Sequence, residues 1–217
     1  MLNNLKILIL HVGTMANKGT QALVKSEFAE ICKLYKKVEM SVSTTDVSGV
    51  EEYGPRYKNI TPTLVDIPYE KALDIMREGL SPLGEDYISK MNHGIEAGWI
   101  DVFENEGKTS GAYSFGSYDS MPYILLNYNN KLKDVFTVVH EMGHSMHSYY
   151  TRHNQPYVYG GHSIFTAEVA STVNESLLMQ HLLTVCNDAE EKKYLLNMHI
   201  EEFRTTLFRQ TMFAEFE

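Results

Sequence analysis

Residues 5–12, LKILILHV, form a short unbroken apolar run, and apolar positions then recur at helical spacing over 21–37. A buried strand, a turn bounded by Gly13 and Gly19, and an amphipathic helix make the opening of a parallel α/β unit. A second strand is expected over 38–43. Over 44–63 the chain turns to Gly, Pro, Ser, Thr and charge with no sustained period, which predicts a linker or domain boundary. Helical spacing returns over 69–80 and 84–97, with Pro82 and Gly84 as punctuation between the two.

Residues 99–128 read as β. The stretch 99–104 alternates, Asn105-Glu106-Gly107-Lys108 supplies a turn, and 111–116 is a second short strand, so these two are expected to pair as a hairpin. A third strand is expected over 123–128. Beyond Asn129-Asn130 the pattern is helical again over 131–150, 166–187 and 189–216. The fold expected is therefore mostly α with a small β-hairpin or sheet. It falls into a partial Rossmann-like α/β segment over 1–60 and a helix-rich domain over 66–217.

Composition narrows the range of partners. The 217 residues are 43% hydrophobic and 22% charged, and 19 Lys+Arg against 28 Asp+Glu leave a formal net charge of −9. An acidic chain is poorly suited to displacing counterions from phosphates, so neither a nucleic-acid nor a membrane partner is expected. Cys32 and Cys186 alone give no disulfide framework and no Cys-based zinc spacing, which fits a reducing cytoplasm. No apolar run is long enough to cross a bilayer. Met1 to Val12 carries one Lys and only a four-residue apolar core before His11, which reads as a strand rather than a signal sequence.

The chemistry sits in the 131–150 helix. His140-Glu141-Met142-Gly143-His144 is an H-E-x-x-H sequence, so the two histidines at i and i+4 project from one face and can bind one metal ion, with Glu141 beside the open position. Imidazole and carboxylate ligands without a redox partner make zinc the default, one ion per chain. A third ligand is needed, and Glu168 on the next helix offers one. Glu175 lies seven residues further on the same face, either as the carboxylate that orients a ligating histidine or as a solvated position. The strand over 111–116, with Gly111, Ala112 and Tyr113, either presents its backbone to an extended peptide or faces the core. His147 has polar neighbours and is not expected to bind metal; His162, in the Gly160-Gly161 loop, is expected to be solvated.

These residues, with Asn154-Gln155-Pro156-Tyr157, Glu168-Val169-Ala170-Ser171-Thr172-Val173-Asn174-Glu175, Ser110-Gly111-Ala112-Tyr113, Pro122-Tyr123-Ile124-Leu125-Leu126-Asn127-Tyr128 and the stretch from Phe203 to Glu217, resemble the oligoendopeptidase F branch of the thimet oligopeptidase family. The resemblance implies a zincin-like catalytic core in which His140, His144 and Glu168 bind zinc. It also implies that Glu141 is the general base in hydrolysis of oligopeptide substrates. Members of that family are longer, and their oxyanion-stabilising His and Tyr lie beyond the stretch matching Phe203 to Glu217. The expectation is a truncated core, and losing one such donor typically costs about 10²–10³ in rate. Unpaired helix faces would then favour self-association.

Residues 6–24 resemble instead the start of a polysaccharide pyruvyl transferase, which implies a phosphate-binding strand-turn-helix. Three readings follow: a zinc metalloendopeptidase, a zinc-binding but inactive fragment of one, and a partial pyruvyl transferase. Metal content and peptide cleavage separate them.

Overall fold

The structure is a computed structural model that describes residues 5–9, 38–42, 57–59 and 66–216. The chain divides into two compact units, one formed by Met1–Leu64 with Cys186–Glu217 and the other by Val65–Val185. It is mostly helical, as the hydrophobic periodicity predicts.

In the first unit, β1 (Leu5–Ile9), β2 (Val38–Val42) and β3 (Tyr57–Asn59) form a parallel sheet in the order β1-β2-β3. Two of these strands are the ones the apolar runs predict, and β3 falls inside the stretch read as a linker. The expected helix over 21–37 lies outside the described residues. The same unit holds α5 (Ala189–Phe203) and α6 (Arg209–Phe216), numbered after the four helices of the second unit. Asp188 caps α5, accepting from the Glu190 and Glu191 amides at 2.9 and 2.8 Å. The single helix expected over 189–216 is interrupted by a π-turn at Arg204–Phe208. There Thr205 Oγ1 donates to the Glu201 and Glu202 carbonyls at 2.9 and 3.2 Å, competing for the acceptors of the preceding turn.

The second unit runs α1 (Tyr69–Gly79), a 3₁₀ turn at Ser81–Leu83, α2 (Glu85–Glu96), β4 (Ile100–Asp101), β5 (Tyr113–Phe115), β6 (Tyr123–Leu125), α3 (Leu132–Asn154), a 3₁₀ turn at Tyr157–Tyr159, and α4 (Ile164–Val185). Buried positions on α1 fall at Ala72, Leu73, Met76 and Gly79, one helical stripe. The strands are shorter than expected and the hairpin is different. β6 lies in the middle of the order β4-β6-β5, parallel to β4 and antiparallel to β5. The stretch 99–104 therefore does not pair with 111–116. Central position goes to the most apolar strand, whose Ile124 and the following Leu126 are each 1% exposed.

α3 is enclosed along most of its length, burying Val135, Phe136, Val138, Val139, Met142 and Met146. The Asp134 carboxylate fixes its start by accepting the backbone N–H groups of Asn129 and Lys131 at 2.9 and 3.0 Å. β5 and β6 lie on one side of α3, and α4 makes its most extensive packing partner. Among the described residues no helix is long and apolar enough to cross a membrane.

Candidate metal centre

Helical geometry puts His140 and His144 one turn apart on α3, and their Nε2 atoms are 3.1 Å from each other. From α4, Glu168 Oε2 lies 3.4 Å from His140 Nε2 and 3.3 Å from His144 Nε2. Three ligand atoms thus form a near-equilateral triangle. A tetrahedral ion with bonds of about 2.0–2.1 Å requires ligand-to-ligand separations of about 3.3–3.4 Å, so the triangle has the dimensions of one face of such a polyhedron. These three residues form a cluster of potential metal ligands.

Glu175 stands on the other side of the same imidazole. Its Oε1 is 3.2 Å from His140 Nδ1, so the ring can donate outward to a carboxylate while Nε2 faces the cluster. Exposure separates the two acids: the Glu168 side chain is 60% exposed and that of Glu175 only 16%. Two turns of helix account for both being on one face.

The approach of α4 to α3 rests on residues that motif reading passes over. A Cβ built on Gly143 would come 2.7 Å from Ser171 Cα and 2.9 Å from the Ala170 carbonyl oxygen, both backbone atoms of α4. Only glycine permits this contact. Ser171, fully buried, donates from Oγ to Glu168 Oε2 at 2.8 Å, setting the carboxylate. Asn174 Nδ2 donates to the Val139 carbonyl at 3.3 Å and to Tyr87 Oη at 2.9 Å, tying α4 to α3 and α2. The signal available in sequence is the run of small residues, Gly143 opposite Ala170-Ser171.

Glu141 is 7% exposed and lies beneath the sheet. Burial pushes its carboxyl above the ordinary carboxylate range, while the charge of His140 pulls it down and that of Glu168 pushes it up; the Ser114 backbone N–H donates to it from β5. Ser114 Oγ also meets Ser145 Oγ on α3 at 2.7 Å. For His140, burial pulls the imidazole down, but the Glu175 hydrogen bond and the charges of Glu175, Glu141 and Glu168 together hold it above its usual value. Burial lowers His144. The acids around the cluster thus stabilise positive charge at the place where a cation would sit.

β5 is an edge strand, with Ser114 turned toward α3 and Tyr113 and Phe115 outward, 49% and 73% exposed. Gly111 is exposed with φ 95°, and Gly111 and Ala112 line a cavity of about 240 Å³ with Thr137 of α3. The His147 and His162 rings stack, centroids 4.1 Å apart, and His162 stays exposed in its loop, as expected.

Comparison with known proteins places these features. The model of peptidase family M3 matches residues 21–217, a stretch that begins inside the segment set apart at 1–60. Oligopeptidase PepF of Bacillus subtilis is 47% identical over 195 residues, 90% of this chain and 29% of that protein. The chromosomal oligoendopeptidase F of Lactococcus lactis subsp. cremoris is 45% identical over 200 residues, 92% of this chain and 33% of that protein. A crystal structure from Chlamydophila abortus, assigned to the peptidases, superposes with TM-score 0.68 at 38% identity, covering 92% of this chain and 32% of the other. The chain spans about a third of the length of these relatives. With a family match over nearly all of its residues, the chain belongs to peptidase family M3.

Proposed function

We propose that the chain carries the zinc centre of a metalloendopeptidase that hydrolyses short peptides. The observation that carries this reading is the 3.1, 3.3 and 3.4 Å triangle of His140 Nε2, His144 Nε2 and Glu168 Oε2, which suits one zinc ion per chain. Similarity to proteins named as oligopeptidase and oligoendopeptidase supports peptides as the substrate class. The donor set also suits zinc by its chemistry: two imidazoles and one carboxylate leave a fourth position open.

When bound, zinc supplies Lewis acidity to a peptide carbonyl and lowers the pKa of water toward neutrality. The chain's own groups do the rest. Glu141 accepts a proton from the attacking water at its carboxylate; as the carbonyl carbon gains oxygen and the C–N bond breaks, it returns that proton to the departing amine. Glu175 holds the His140 ring through Nδ1, and Ser171 holds the Glu168 carboxylate. The free edge of β5, from Gly111 through Ala112 and Tyr113, offers backbone groups to an extended substrate with little demand on its side chains. A division into an α/β segment over 1–60 and a peptidase domain over 66–217, with a cytoplasmic location, completes the proposal.

The test is metal content together with cleavage of a quenched fluorescent peptide. Stoichiometric zinc, cleavage by the unaltered chain and its loss in Glu141→Gln are expected. Zinc binding with equally poor cleavage by both proteins would leave a metal site without the enzyme.

A further inference from the structure

Away from the metal centre, a cavity of about 400 Å³ opens between α2, α3 and the turn leading into β6. Its walls include Trp99, Tyr118 and Tyr149, and Arg152 of α3 reaches into the same space. Two lining residues carry hydrogen-bond donors with no acceptor: the Trp99 indole Nε1 and Arg152 Nη1. Trp99 is 2% exposed, and Gly94 leaves room for its ring, since a Cβ there would meet it at 2.4 Å. The other terminal nitrogen of Arg152, Nη2, donates to the Gly116 carbonyl at 2.7 Å, which fixes the guanidinium against the end of β5.

Arg152 makes no ion pair among the described residues, although Asp119 lines the same cavity. The chain has 28 acids against 19 basic residues, yet among the described residues no carboxylate forms an ion pair with this guanidinium. A buried N–H without an acceptor is unfavourable, and two such donors, the Trp99 indole and Arg152 Nη1, lie at this cavity. Both deficits are removed by an anion in the cavity. Asp119 also lines it, and its negative charge favours a singly charged anion over a dianion such as phosphate.

We propose that this cavity binds the carboxylate of a small organic acid whose apolar portion lies among Trp99, Tyr118 and Tyr149. The C-terminal carboxylate of a peptide has this chemistry, an identification that rests on the proposed peptidase reading. Arg152 is eleven residues beyond Glu141 on α3, a rise of about 16 Å. The Arg152 side chain shortens that distance by reaching back to Gly116, and β5 lies alongside, with Ser114 against Glu141 and Gly116 against the guanidinium, two residues or about 7 Å of extended chain apart. A peptide held along β5 with its cleaved bond at Glu141 therefore brings its terminus to the cavity about two to three residues away.

Trp99 is the single tryptophan of the chain, so intrinsic fluorescence reports on this cavity directly. The experiment titrates the full chain with N-acetylphenylalanine, with N-acetylphenylalaninamide and with inorganic phosphate. The expected result is a saturable change in emission with the acid and binding about tenfold or more weaker for the amide and for phosphate, as loss of a charge-assisted contact implies. Arg152→Gln should abolish the acid's advantage and Arg152→Lys should retain part of it, with far-ultraviolet circular dichroism verifying the fold. Equal binding of acid and amide, tighter binding of phosphate, absence of a saturable change, or undiminished acid binding by a folded Arg152→Gln would each overturn the proposal. The acid-against-amide comparison on the unaltered chain decides the matter even where a variant does not fold. No hydrolysis is read, so this proposal and the peptidase reading can fail separately.

Discussion

At the residue scale, the candidate centre is built from groups whose roles depend on which atom faces which partner. His140 uses both ring nitrogens, Nε2 toward Glu168 and Nδ1 toward Glu175. Glu175→Gln should lower zinc affinity about 10–100-fold, the usual effect of removing a carboxylate behind a ligating histidine. Competition with a chromogenic chelator measures it, and unchanged affinity would mean that Glu175 plays no part. His144→Ala, which removes one of the two imidazoles of the cluster, should abolish stoichiometric binding in the same assay. The H-E-x-x-H spacing exposes His140, Glu141 and His144 directly, because i and i+4 share a helix face. Ser171 and the Ser114 amide were not legible in that way. They act through contacts between residues far apart in sequence, and a serine carries no spacing rule.

At the element scale, the decisive contact is the crossing of α3 and α4 at Gly143. Any larger residue would strike the backbone of Ala170 and Ser171, which cannot swing aside as a side chain can. Gly143→Ala should cost about 1–3 kcal/mol through overpacking and should weaken metal binding by moving Glu168 away from the histidines. A thermal melt and the chelator assay together check this; an unchanged melting temperature would show that the helices can separate freely at that point. Asn174→Leu should destabilise by a comparable amount, about 1–3 kcal/mol, because it strips partners from the Val139 carbonyl and Tyr87. The helices themselves were legible from apolar periodicity, and their ends shifted by a few residues. Strand pairing was not. A Gly-containing turn at 105–108 suggests that its flanking segments pair, but β6 takes the central place because it has the most apolar surface to bury.

At the scale of the whole molecule, the tyrosines give a pH signature. Burial, with the neighbouring Glu70, raises Tyr69 to about 12, and burial with the Asp86 hydrogen bond raises Tyr150 to about 12. Burial also raises Tyr128 and Tyr87. Unfolded tyrosines ionise near pH 10, so above that the unfolded chain loses protons first and binds fewer than the folded one. Stability contributed by the buried neutral phenols is therefore complete below about pH 10 and is lost as pH rises to about 12. Urea midpoints should fall across that window, and Tyr69→Phe should flatten the fall; a midpoint independent of pH there would contradict the burial. Exposed apolar residues on the π-turn and α6, among them Phe208 at 67% and Phe216 at 92%, keep the expectation of self-association. Sedimentation velocity at two concentrations should show a concentration-dependent mass, and a monomer at both would refute it.

By itself, the sequence determined the helical character of the chain, the pair of histidines with their glutamate, and the two acids seven residues apart, because each of these follows from local periodicity along one helix. Tertiary structure alone decided the order of the three short strands, the closeness of α3 and α4 at Gly143, and the meeting of Glu168 with the two histidines within 3.4 Å. It also brought Trp99 and Arg152, 53 positions apart, to one cavity with their donors unmatched. The physical reason is the same throughout. Local spacing fixes which face a side chain occupies, while the distance between faces depends on close packing of distant segments, to which every intervening residue contributes.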